Sequence, residues 1–178
     1  MRGRGGLAIF ALVAACGGAG ATGHDADIGG GSVSVRWEDG DSVDISLDVP
    51  GTARWCATGR WLELSAVRGD TGVMLALFPP ETLVAATYPI SRPVRGDSLR
   101  ARPAATLGVR WFTPGLVAGY RGWQGEVRVT AVEPGPTGGR TISGRLDGGA
   151  AAVAGAGGAI AVEGEFDDVP VAEADSGC

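Results

Sequence analysis

The sequence contains no lysine: all 15 Lys+Arg positions are arginine, set against 20 Asp+Glu in 178 residues. Lysine Schiff bases, lysine general bases and P-loop lysines are therefore excluded. Histidine is nearly absent as well, His24 being the sole imidazole. Proton transfer through histidine would have to run through that residue, and any two-histidine metal site is excluded. A Ser-His-Asp triad is closed to the body of the chain, and Cys56, with no histidine beside it, lacks a base. The formal charge is -5; removal of a leader carrying Arg2 and Arg4 would make it 13 minus 20, or -7. Such a chain repels phosphate backbones, so no nucleic-acid partner is expected. Abundant glycine (32) and proline (10) lower the expectation of helix and raise that of turns. The length suits one domain with a continuous core, and no cofactor is indicated.

Residues 1–16 read MRGRGGLAIFALVAAC, two arginines followed by an apolar run from Leu7 to Ala15 and a cysteine. The run is too short for a bilayer core, which takes about 20 helical residues. It has the charged and apolar regions of a secretory signal. Val13-Ala14-Ala15-Cys16 resembles the lipobox of exported bacterial lipoproteins, an aliphatic and two small residues before a cysteine. The resemblance implies a signal peptide over 1–15, cleavage before Cys16, and a diacylglyceryl cysteine bearing palmitate-like chains. Two or more acyl chains anchor stably where one is marginal. Gly17 stands where Asp would signal inner-membrane retention in enteric bacteria, so the expected location is the cell envelope, on the outer membrane if the host has one.

Residues 16–31 follow as the lipidated cysteine and a glycine-rich tether. His24, Asp25 and Asp27 lie in it, but ordering three ligands between glycines costs too much entropy for a metal site. Of the remaining cysteines, Cys56 and Cys178 form an even pair in an oxidising compartment, which favours an intramolecular disulfide. Two free thiols or an intermolecular bridge are the alternatives.

From residue 32 to 178 the apolar positions recur with the period of a strand. Val33, Val35 and Trp37 share a face; Val43, Ile45, Leu47 and Val49 continue it after the acidic turn 38–41, as in a hairpin. Further strands are expected at Thr52–Ala57, Arg60–Ala66, Val73–Phe78, Thr87–Ile90, Leu107–Phe112, Glu126–Val132, Arg140–Leu146 and Ala159–Phe166. Val73–Phe78 reads as a strand buried on both faces. Gly119–Gln124, Pro134–Gly139 and a mobile Gly148–Gly158 read as loops. About ten short strands without an amphipathic helix predict a single all-β domain, an antiparallel sandwich or, as the alternative, a partly closed barrel.

In the carboxy-terminal half, Gly125-Glu126-Val127-Arg128-Val129-Thr130, Ile142-Ser143-Gly144-Arg145-Leu146 and Val162-Glu163-Gly164-Glu165-Phe166 resemble strands of exported bacterial lipoproteins of uncharacterised β-sandwich families. Ala86-Thr87-Tyr88-Pro89-Ile90 is similar to an earlier strand of the same families, whereas Leu146 departs from their usual aromatic. The resemblance implies a fold and an export route and no common activity.

Five tryptophans suggest a stacking platform. Trp37 and Trp111 share parity with apolar neighbours and are expected in the core, each with its preceding arginine in water. Trp61 shares parity with Glu63 and Ser65, on the polar side. Trp61, Tyr120 and Trp123 are therefore the candidate platform for a glycan or peptidoglycan ligand. Glycoside hydrolysis needs two facing acids, for which Glu163 and Glu165, with Asp167 and Asp168 beyond, are the candidates; the same alternation solubilises a half-exposed strand. Asp39, Asp41 and Asp44 have calcium-like spacing but lack the terminal glutamate. Arg68-Gly69-Asp70 and Arg95-Gly96-Asp97 are ordinary turn chemistry in a chain this rich in those residues. The expected function is that of a non-catalytic structural or interaction domain on a membrane anchor, facing a cell-envelope protein or glycan. A glycan-binding module is the alternative, and an acid-residue glycoside hydrolase the second alternative.

Overall fold

The computed structural model describes residues 30–38, 44–92, 103–113, 116–136, 138–154 and 157–174. These form ten strands and no helix: β1 (Ser32–Glu38), β2 (Asp44–Pro50), β3 (Thr52–Cys56), β4 (Trp61–Arg68), β5 (Thr71–Phe78), β6 (Ala86–Pro89), β7 (Ala104–Thr113), β8 (Leu116–Pro134), β9 (Arg140–Ala154) and β10 (Ala159–Ala174). The all-β expectation holds, and the sheet fits the alternative, the partly closed barrel, more than the sandwich. Seven strands run round a ring, β10-β3-β4-β5-β7-β8-β9 and back to β10. A ring with an odd number of strands cannot be antiparallel throughout, and the parallel step falls where β10 meets β3, Val171–Ala174 beside Ala53–Cys56. At that seam Arg140 of β9 lies over the Trp55 ring, 5.5 Å from its centroid, and pairs with Glu173 of β10.

The other three strands widen the ring. Along one edge β10 pairs first with β1 and then with β3; the switch comes at a bulge between Phe166 and Val169. There Asp168 takes a positive φ of 49° and its amide donates to Ser143 Oγ at 2.9 Å. β1 and β2 thus fill the wall between β10 and β4, and Arg68 of β4 donates to the Ser46 carbonyl on the open edge of β2. At the opposite end β8 leaves β7 at the bulge between Gly122 and Gln124, and β6 takes the place beside it.

Trp37 and Trp111 are in the core as expected, 1% and 4% exposed. Trp111 stacks on Tyr120 with centroids 4.6 Å apart and planes at 6°, and lies 5.8 Å from Trp37. The residues facing them are small: Ala118 is opposite Trp111 and Ala152 opposite Tyr120. This explains two corrections. Gly119–Gln124 is part of β8 and residues 148–154 are part of β9, where loops were expected. Their glycines and alanines make room: a Cβ on Gly148 would lie 2.8 Å from Ile90 Cδ1, and one on Gly122 would lie 2.7 Å from Leu107 Cβ and 2.8 Å from Ile90 Cγ2. Sparse apolar alternation here is close packing against Ile90, Leu107 and the Tyr120 ring. The turn at Pro134–Gly139 is as expected, closed by a Gly135 to Gly139 hydrogen bond of 2.8 Å.

Polarity runs from an apolar interior to a charged exterior, the reverse of a barrel whose outer wall faces lipid all round. Glu165 and Arg145, 67% and 72% exposed, pair across β10 and β9 at 3.2 Å on that exterior.

Candidate functional site

The three candidate platform residues do not come together. Tyr120 points inward, 3% exposed, and spends its ring on Trp111. Trp61 points outward as its parity predicts, but it is half-buried, stacked on Phe78 of the neighbouring strand at 6.3 Å and packed beside Gly59. Trp123 is exposed, 41%, as the extra residue of the β8 bulge. Gly122 there presses on Leu107 and Ile90, with no room for a Cβ. β5 and β7 separate β4 from β8 in the wall, so Trp61 and Trp123 stand roughly 14 Å apart at about 4.8 Å per strand. Trp55 joins Trp37 and Trp111 on the apolar side, 7% exposed, while Arg54 faces out toward Glu63 at 3.5 Å.

The candidate acids Glu163, Glu165, Asp167 and Asp168 are all exposed. Glu163 stands in register with Asp147, and Asp147 with Glu126, forming a row of three carboxylates across β10, β9 and β8. Arg36 flanks the row on β1, and Arg128 donates to Glu126 at 2.9 Å. Just beside it lies a polar groove of about 790 Å³ that includes Ser34, Arg128, Arg145 and Glu165. Among the described residues no group of three or more His, Cys, Asp or Glu could hold a metal ion. His24, Asp25, Asp27, Asp39, Asp41 and Arg95-Gly96-Asp97 lie outside the described residues, as do Cys16 and Cys178. Cys56 ends β3, fully buried, in register with Ala174 near the end of the chain. Burial raises the Tyr88 phenol above its ordinary range, although its hydroxyl donates to the Val84 carbonyl at 3.0 Å.

A second outer surface is apolar and was not anticipated. Val73–Phe78 reads as buried on both faces, yet Met74 is 51% exposed. It belongs to a stretch of outer wall with Val67, Val117 and Val153, which are 54%, 47% and 59% exposed. Adjacent strands put glycine on the same face: Gly108 is opposite Met74, Gly72 opposite Val67, and Gly119 opposite Arg110. Missing side chains there leave a groove of about 650 Å³ between the flanking valines and Met74. Its charged lining residues are Arg110 and Arg121. The sequence signal was the outward parity of Gly72 and Met74, hidden because Met74 sits between apolar Val73 and Leu75. No family model matches the chain, and no curated protein or solved structure does so either.

Proposed function

We propose that the protein is an exported lipoprotein of the cell envelope, anchored through Cys16, whose barrel domain is a non-catalytic interaction module. The observation that carries the interaction role is the exposed apolar stretch at Val67, Met74, Val117 and Val153. Contiguous apolar exposure on a charged domain marks a contact surface. The interior is occupied by its own aromatic rings, so recognition belongs on the outer wall. The anchor is supported by the arginines, apolar run and Val13–Cys16 box of the amino terminus. A bond between Cys56 and Cys178 is part of the same reading, since β10 runs beside β3 to within four residues of the last one.

Cys16→Ser in a host that processes lipoproteins is the test of the anchor. The wild-type chain is expected to carry an acyl mass at Cys16 that the variant lacks, and a wild-type chain without that mass would refute the lipoprotein assignment.

A further inference from the structure

We infer that the outer wall of β4, β5, β7 and β8 docks flat on the anionic leaflet to which the chain is anchored, with Val67, Met74, Val117 and Val153 entering the headgroup region. The anchor comes from the lipoprotein reading; the affinity of the wall for lipid does not depend on it. Charge selects this occupant. The chain carries a net -5, yet the charged residues lining the groove are both arginines, Arg110 and Arg121. The acids at this end of the barrel stand outside the groove lining: Asp70 in the β4–β5 turn, and Glu38 of β1 and Asp44 of β2 on the far side of Arg68, while Glu63 lies farther along β4. The Arg110 guanidinium lies 5.6 Å over the ring of Phe112, itself 41% exposed. Its apolar stem and ring can then sit among acyl chains while the cation stays at phosphate level, as arginine does at interfaces.

Chain length permits the contact. The wall is apolar at the end of the barrel where β4 ends and β5 begins, whereas β1 starts at Ser32, in register with Asp167 well along β10. Along β1 that difference is roughly 20 Å at about 3.3 Å per residue. The 14 residues from 17 to 30 extend at most about 46 to 50 Å. An acyl chain at Cys16 and the wall can therefore meet one leaflet together, and two membrane signals hold where one is marginal.

The test uses the full chain from a lipoprotein-processing host, with Met74→Cys carrying an environment-sensitive dye and Ser34→Cys as the label on the polar wall. Mass spectrometry reads acylation at Cys16. The proteins are mixed with vesicles of phosphatidylethanolamine and phosphatidylglycerol, and with vesicles of phosphatidylcholine alone. The expected result is a blue-shifted dye at position 74, quenched by doxyl lipid on the anionic vesicles, and a water-like dye at position 34. Adding Arg110→Gln and Arg121→Gln should lower the docked ratio about thirtyfold, about fivefold per arginine. An acylated chain whose dye at 74 stays water-like overturns docking and leaves the anchor standing. An unacylated chain whose dye at 74 is blue-shifted refutes the anchor and keeps docking. A dye at 74 that is blue-shifted without lipid, in a species of twice the mass, overturns docking and assigns the wall to a second copy.

Discussion

Replacing Trp111 by alanine probes whether the barrel is held from inside. Trp111 is 4% exposed, stacked on Tyr120 at 4.6 Å and close to Trp37. A buried indole removes about 200 Å² from water, worth about 5 kcal/mol at about 25 cal/mol per Å² as an upper figure. Measured truncations of this kind cost about 3 to 5 kcal/mol. The facing Ala118 cannot grow into the space, so the cavity persists. With a urea slope of about 2 kcal/mol per molar, the unfolding midpoint should fall by about 2 M with the slope unchanged. Trp61→Ala is the comparison, since it removes a half-buried indole from the outer wall and its contact with Phe78; about half the shift is expected. Equal shifts in the two variants, or a Trp111→Ala cost below about 1 kcal/mol, would refute the placement of the stack at the centre of the fold.

Gly144→Ala should be more damaging than its one methyl suggests, because the new Cβ meets the Arg128 carbonyl and Phe166 Cζ at 2.4 Å; thermal melting is expected to drop by several degrees, while Gly138→Ala, in open space but at φ 84°, should cost about 1 kcal/mol. For Tyr88 the folded state keeps the phenol proton to higher pH than the unfolded chain does. The stability this contributes is intact below about pH 10 and lost as pH rises above it. Without lysine, few other side chains titrate there, so Tyr88→Phe should visibly flatten the alkaline fall in melting temperature; an unchanged slope contradicts the assignment. Alkylation of the denatured, unreduced chain should leave Cys56 and Cys178 unmodified, and reduction should cost about 2 to 4 kcal/mol; adducts at both positions before reduction would refute the bond.

Strand period alone was enough to read the class of fold and most of its core. Val33, Val35 and Trp37 of β1, Leu62, Leu64 and Ala66 of β4, and Val109 and Trp111 of β7 all face inward as their alternation requires, because a pleated strand buries every second side chain. Trp61 was likewise legible as outward. Alternation fails where the chain is glycine and alanine. Nothing local at Gly148–Ala154 says strand, since the side chains that need those small residues, Ile90 against Gly148 and Tyr120 opposite Ala152, are distant in sequence. The apolar wall was hidden for a related reason: an isolated strand does not reveal that Gly72, Gly108 and Gly119 stand side by side with Met74.

By itself, then, the sequence determined an all-β domain with a tryptophan-rich core, a charged surface without lysine, and the motifs that point to export. Those are properties of composition and short-range period, set by side-chain chemistry one strand at a time. Tertiary structure alone decided that the strands close into a ring of seven, that Tyr120 leaves the proposed platform for the core, and that the apolar groove lies on the outer wall. Each of these depends on which strands become neighbours and in what register, which is settled by long-range packing of large side chains against small residues.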